Sequence, residues 1–336
     1  MEFRGSKKIM KYHHKLGYFF NRHKTLVSVE LDLTNVCDNN CPKCTGKREN
    51  PVSLKVEQLK RFVDEFSEID GKSLILAGGG EPLLHPNFIE ILHYIKSKGL
   101  KVGVYSNGLS LNEEKAKAII DCCSFFRISL DAGSPEIYEK THGMNKECFD
   151  KVVGNMKMFS KLKKESNKDI SYGASFLTGE ITKPDILNFF KLCKECGLDY
   201  GQLKPFLYDQ TDVGEELQKG KELYEDENFK VVSSYHKYAH FQDEDKRPYT
   251  KCWGLFFNAV VTADFKMYPC ANQRQNPKYV MGDLNKNSIK EIMNSSRIID
   301  VFNNIDFSDC PYYCRNDDLN RELEYHSKPI KHEEFL

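Results

Sequence analysis

Six short apolar or β-branched runs punctuate the first two thirds of the chain: Leu26–Leu33, Ser73–Ala77, Lys101–Ser106, Phe125–Asp131, Ile170–Phe176 and Tyr200–Pro205. Most are followed by a stretch with helical spacing: Val56–Phe66, Phe88–Lys98, Glu113–Cys122, Phe149–Leu162 and Pro184–Cys196. Ser110 with Glu113 reads as a capping box for the third helix, and Gly99 and Gly197 stand where a glycine closes a helix. Strand–helix alternation predicts a parallel sheet with right-handed crossovers. Six such units are too few for a full eight-fold barrel, so the expected fold class is α/β, an open, partial (β/α)6 TIM-like barrel. Sites in such folds form at the C-terminal ends of the strands.

Chemistry is concentrated in cysteines, of which there are twelve. No run approaches the ~18 apolar residues of a membrane span. The stretch Met1–Lys24 lacks the apolar segment of a secretory signal. The expected location is therefore cytoplasmic, where grouped cysteines bind metal or do redox chemistry rather than form structural disulfides. The first expected strand runs straight into Cys37, Cys41 and Cys44, spaced C-x3-C-x2-C. Three thiolates on one loop can wrap one side of a cubane cluster and leave one iron open for a ligand. Tetrahedral zinc would want a fourth protein ligand, which this loop lacks.

Beyond Lys204 the pattern changes. Residues 208–250 are rich in Glu, Asp, Lys and Tyr and read as a linker with some helix around Glu215–Tyr224. Strand-like runs return at Asn258–Thr262 and Phe265–Pro269, with a helix around Ile289–Met293. Four cysteines accompany them: Cys252, Cys270, Cys310 and Cys314. Four thiolates suit one 4Fe–4S cluster, and spacing alone suits a structural zinc equally. The expected organisation is a 1–24 extension, a 25–210 partial barrel, a 211–250 linker, a 251–325 metal-binding domain and a 326–336 tail. Cys122, Cys123, Cys193 and Cys196 lie in or beside helices and read as packing residues.

The C-x3-C-x2-C loop resembles the signature of the radical S-adenosylmethionine (SAM) superfamily. The resemblance implies a 4Fe–4S cluster on Cys37, Cys41 and Cys44 whose open iron is chelated by SAM, reductive cleavage of SAM, and a 5′-deoxyadenosyl radical. Gly79, Gly80, Glu81 and Pro82 match the family's Gly-Gly-Glu-Pro motif, whose polar groups hold the SAM amino group. Tyr105-Ser-Asn-Gly108 is similar to the family's Thr-Asn-Gly turn. Arg127-Ile-Ser-Leu-Asp131 resembles its Ser-x-Asp-Gly stretch, with Ala132 where the family often has Gly. His142-Gly143 and Phe149-Asp150 resemble the family's His-Gly turn and the Phe-Asp pair of its next helix. The candidate cofactor-binding residues are thus Gly79, Gly80, Glu81, Pro82, Asn107, Ser129, Asp131, Ser175 and Lys204, the last for the SAM carboxylate or an anionic substrate. Cys148 is the catalytic candidate, as a hydrogen-atom donor. Residues 252–314 resemble the SPASM and twitch extensions of this superfamily, which implies a second, auxiliary 4Fe–4S cluster on Cys252, Cys270, Cys310 and Cys314. A count of four favours the one-cluster twitch form.

Forty-nine basic residues balance forty-nine acidic ones, and no basic stripe marks a generic nucleic-acid binder. The resemblance implies hydrogen abstraction from substrate, and a fully ligated auxiliary cluster suits an electron acceptor, hence an oxidation or another redox rearrangement. The 25 residues before Leu26 are too few for the winged-helix recognition domain of many peptide-maturing relatives. The expected substrate is therefore a small polar metabolite such as a sugar, aminocyclitol or nucleotide sugar. The expected electron donor is a flavodoxin or ferredoxin. Peptide maturation or epimerisation is the alternative within the family, and a non-catalytic iron–sulfur or zinc protein the alternative outside it.

Overall fold

A computed structural model describes residues 26–46, 50–207, 209–238, 247–311 and 314–327. The 1–24 extension, the 25 residues weighed against a recognition domain, and most of the 326–336 tail lie outside the described residues. The parallel strands are β1 (Ser28–Asp32), β2 (Ser73–Ala77), β3 (Lys101–Ser106), β4 (Phe125–Ser129), β5 (Ser171–Thr178), β6 (Tyr200–Pro205) and β7 (Lys230–Ser233). The helices between them are α1 (Val56–Glu68), α2 (Phe88–Ser97), α3 (Glu113–Cys122), α4 (Pro135–His142), α5 (Lys146–Ser166), α6 (Ile186–Glu195) and α7 (Gly214–Tyr224). The C-terminal part adds β8 (Asn258–Val261), β9 (Lys266–Tyr268), β10 (Gly282–Asp283), α8 (Ile289–Asn294), α9 (Ser296–Asn304) and α10 (Asp317–Ser327).

The expected α/β architecture with a parallel sheet is what forms. Among the described residues ten strands lie in one sheet, ordered β10-β9-β8-β1-β2-β3-β4-β5-β6-β7, and its two end strands do not pair there, so the sheet of these residues stays open. Two features extend it beyond six units. β7 arises inside the expected linker, where four residues are too few to show an alternating pattern. β8 pairs in parallel with β1, Val29 opposite Ala259 and Leu31 opposite Val261, so the C-terminal cysteine module continues the same sheet. It also docks on α1, where Glu65 accepts from the Ile289 amide at 2.8 Å and Gln58 bonds Asn285 at 2.9 Å.

Alternation along the strands sorts the two faces. Val29, Leu31, Leu74, Leu76, Val102, Val104, Phe126, Ile128, Ala174, Phe176 and Leu203 are buried in one apolar core with the helices. In that layer Phe126 stacks on Tyr172 with 5.6 Å between centroids, and Phe176 meets Phe189 at 4.9 Å. The other face carries Glu30, Asp32, Tyr105, Arg127, Gln202 and Lys204, so this face of the sheet is polar and charged. The helix ends match the expected glycines, Gly99 at φ +74 and Gly197 at φ +75. The Ser110–Glu113 capping box does not form. Asn112 caps α3 by accepting from the Lys115 amide at 2.9 Å, while the Ser110 hydroxyl turns away to Asp38.

Candidate metal centres and the charged lumen

The loop after β1 is built before any ligand is considered. Thr34 makes a bridge with Ser53, and Asn35 clamps the returning chain by donating to Asn50 O and accepting from the Val52 amide, both at 2.7 Å. The ends of other elements then close on the loop. The Glu81 amide donates to Val36 O at 2.8 Å, and the Asn40 amide donates to His142 O at 3.1 Å. Asn107 Nδ2 donates to Asp38 Oδ1 at 2.6 Å and lies 3.8 Å from Cys37 Sγ. Cys37, Cys41 and Cys44 thus sit on a short turn pinned by the C-terminal ends of β2 and β3 and by the end of α4. Cys37 and Cys41 are half-buried and Cys44 is exposed. The Gly46 amide donates to Cys44 Sγ at 3.3 Å. Amide donors aimed at sulfur are what a cluster-bound thiolate accepts, so these residues fit a cubane with three protein ligands.

The glycine-rich motif has a different immediate task. A Cβ on Gly80 would lie 2.1 Å from Val36 O, so this glycine lets the motif press against the cysteine loop itself. A Cβ on Gly78, at φ +139, would lie 2.5 Å from Asp32 Oδ1. Glu81 is 2% exposed, and both its oxygens are occupied: Oε1 accepts from Leu83 N (3.0 Å) and Ser106 Oγ (2.8 Å), and Oε2 from Asn107 N (2.8 Å). Burial pushes its carboxyl up to about 7 against the pull of those donors. Glu81 therefore ties the end of β2 to the end of β3, and Pro82 opens the next turn.

The other expected residues fall on the same rim. Asp131 adopts φ +47, an uncommon conformation for a non-glycine residue, with Oδ1 accepting from Leu177 N at 2.8 Å. Burial raises its pKa, and His142 and Lys204 pull against that. Ser129 offers its carbonyl to His142 Nε2 at 3.0 Å, and Ser175 offers its carbonyl to the amides of Leu130 and Asp131. Cys148 is half-buried in the first turn of α5 with its amide capped by Asn145, and its thiol faces Tyr138, as do Cys41 and Asp38 of the cysteine loop.

Below the rim lies a charged layer that a motif-by-motif reading misses. Arg274, four residues past Cys270, donates to Asp32 Oδ2 and to Glu30 Oε1, both at 2.6 Å, with all three side chains buried. Arg315, next to Cys314, donates to Glu30 Oε2 at 2.7 Å. Against the cost of burial, Arg315 and Arg274 hold Glu30 below the usual carboxylate range, whereas burial leaves Asp32 raised to about 6. The alternation Val29-Glu30-Leu31-Asp32-Leu33 was the visible signal, since it puts two carboxylates on one face of a buried strand.

The C-terminal thiols form one group. Burial pushes Cys252 up to about 12 and Cys310 up to about 11, with neighbouring sulfurs adding: Cys270 and Cys310 act on Cys252, and Cys252 and Cys270 act on Cys314. Gln273 Nε2 points at Cys310 Sγ from 3.5 Å and Asn320 Nδ2 at Cys252 Sγ from 3.8 Å. Cys252 is buried and Cys270, Cys310 and Cys314 are half-buried. Neighbouring thiols with side-chain donors around them become thiolates only beside a positive charge, so the set fits a metal or cluster.

Two family models match these two regions. Residues 31–193 match the radical SAM superfamily, and residues 252–316 match a domain described as iron–sulfur cluster-binding, SPASM. The chain is 27% identical over 173 residues to an AdoMet-dependent heme synthase of Methanosarcina barkeri, covering 50% of this chain and 47% of that protein. The mycofactocin maturase MftC of Mycobacterium ulcerans is 32% identical over 122 residues, 35% of this chain and 32% of the relative. The matches thus span half or less of these relatives' length. Streptococcus suis SuiB, solved with its precursor peptide SuiA, has a similar fold, with a TM-score of 0.68 at 12% identity over 89% of this chain and 72% of SuiB. Among the described residues no helix is long and apolar enough to cross a membrane.

Proposed function

The chain is a radical SAM enzyme with a SPASM-type C-terminal domain, and from that premise we propose that it oxidises or otherwise rearranges a small polar substrate seated in the charged lumen. The two domains imply a 4Fe–4S cluster, SAM and an auxiliary cluster. When bound, cluster and SAM supply a 5′-deoxyadenosyl radical for hydrogen abstraction. Cys37, Cys41 and Cys44 hold the first cluster. The ends of β2, β3 and β4, with Gly79, Gly80, Asn107, Ser129 and Asp131, shape the SAM pocket. Cys252, Cys270, Cys310 and Cys314 hold the auxiliary cluster, and four thiolates leave it no open iron, which suits an electron relay. The setting is cytoplasmic, with a flavodoxin or ferredoxin as reductant.

The observation that carries this reading is the convergence of the cysteine loop, the C-terminal ends of β2 to β6, and the polar face beneath them. A lumen lined by Glu30, Arg127, Gln202 and Lys204 suits a polar substrate better than an apolar one. Peptide modification is the second reading, favoured by the stretch shared with the mycofactocin maturase. The test incubates the reduced, anaerobic enzyme with SAM and a panel of sugars, aminocyclitols, nucleotide sugars and candidate precursor peptides. A metabolite-dependent rise in 5′-deoxyadenosine supports the first reading. A rise with peptides alone overturns it in favour of the second.

A further inference from the structure

We propose that the lumen contains an oxyanion subsite, built by Arg127, Lys204 and Lys237, that seats a carboxylate or phosphate group of the substrate. It deepens the functional reading above and rests on it for the word substrate. The geometry begins at Tyr105. The Arg127 guanidinium lies 3.7 Å from the centre of its ring, and Lys204 Nζ lies 5.7 Å from the same centre, so two cations share one aromatic wall. Arg127 stands on β4 and Lys204 on β6, and the strand between them presents Ser175, a small side chain. Arg127 Nη1 donates to Gln202 Oε1 at 2.9 Å, and Gln202 Nε2 donates to Ser234 Oγ at 3.3 Å. The Ser234 carbonyl accepts from the Lys237 amide at 2.8 Å, which sets the turn carrying the third cation.

Charge pairing is incomplete here. Arg127 is 9% exposed and its Nε has no hydrogen-bond partner. Among the described residues, neither lysine has a carboxylate within 4.0 Å. The other charges around the lumen are committed: Glu30 and Asp32 to Arg274 and Arg315, and Asp131 to the Leu177 amide. Asp131 is the acid whose charge favours the Lys204 ammonium, and Arg127, Lys237 and Arg315 oppose it. Burial first, then those cations, holds the Lys204 pKa well below its ordinary value. A partly buried group of like charges, with a buried guanidinium whose Nε lacks a partner, is an unfavourable arrangement until an anion completes it. The SAM carboxylate is the competing source of that anion.

The test is thermal unfolding of the anaerobically reconstituted holoenzyme with orthophosphate or malonate against chloride at equal ionic strength, with and without SAM, alongside SAM binding by equilibrium dialysis. Expected is a stabilisation specific to the oxyanions that persists with SAM present. Lys204→Gln and Lys237→Gln should each weaken oxyanion binding about tenfold or more while leaving SAM affinity within about twofold. Removing Lys204, which has no carboxylate partner among the described residues, should not lower the midpoint of the anion-free variant, so loss of response there is not confused with loss of fold. Lys237 also faces Cys314, so its variant is read by oxyanion response and by retained cluster absorbance together. No oxyanion effect, or an effect retained in both variants, overturns the proposal. An effect abolished by SAM, with SAM affinity falling in the variants, also overturns it and assigns the cations to the SAM carboxylate. Absence of 5′-deoxyadenosine with intact oxyanion binding would instead count against the radical reading alone.

Discussion

Arg274 donates its Nε proton to Asp32 across 2.6 Å, joining the loop after Cys270 to the strand that leads into Cys37. The same guanidinium reaches Glu30, so one arginine ties both cysteine regions together through a buried carboxylate pair. Replacing it with methionine would leave Glu30 with only Arg315 and Asp32 with no cation. Arg274→Met should cost about 3–5 kcal/mol, the usual penalty for stranding a buried charge. Chemical denaturation of the anaerobic protein measures it. Adding Glu30→Gln and Asp32→Asn to Arg274→Met should restore most of the loss, and failure to do so would show that the ion cluster is not what the arginine serves.

Asn107 bridges the end of β3 to Asp38 in the cysteine loop and reaches toward Cys37 sulfur. Asn107→Ala should lower stability by about 1–2 kcal/mol. It should also speed loss of iron from the SAM-binding cluster on dilution, seen as faster bleaching of cluster absorbance. The C-terminal cluster should bleach at the wild-type rate.

Glu81 titrates in the folded chain near 7, above its ordinary 4.5. A carboxyl raised by folding contributes stability that is fully present below 4.5 and is lost as pH rises through about 7. Between pH 5.5 and 8 the wild-type unfolding free energy should therefore fall and then level off, by about 2 kcal/mol from this group. Glu81→Gln cannot titrate, so the difference between the two proteins should vary across that window. A pH-independent difference would show that Glu81 is ionised throughout.

The C-terminal cysteines are separable from the SAM site. Cys252→Ser should reduce iron from about eight to about four atoms per chain. SAM cleavage to 5′-deoxyadenosine should survive while product formation fails. About four iron and one zinc in the wild type would make the second site structural.

Much of this was legible along the chain because the decisive signals are local. The strand ends, the cysteine spacing and the glycine motif each occupy a few adjacent residues, and parallel βα order brings them to one rim. What escaped depends on distance in sequence. Glu30 and Asp32 showed their shared face by alternation, but Arg274 lies 242 residues beyond Asp32 and no local pattern points to it. Arg127 was read as part of a motif stretch, yet its role comes from Gln202, Tyr105 and an unpaired Nε, which only packing reveals. Ser110 had the spacing of a cap, but Asn112 stood nearer the helix and Asp38 claimed the serine hydroxyl. β7 was hidden because four residues at a sheet edge carry too little pattern, and its place is set by pairing with β6.

The most direct measurement is 5′-deoxyadenosine released from SAM by the dithionite-reduced, anaerobically reconstituted chain, with iron and sulfide determined on the same sample. The account predicts its formation by the wild type and its loss when Cys37, Cys41 and Cys44 are all replaced by alanine, with the C-terminal cluster retained. A fully cluster-loaded wild type that yields no 5′-deoxyadenosine, or a triple variant that yields as much, would contradict it.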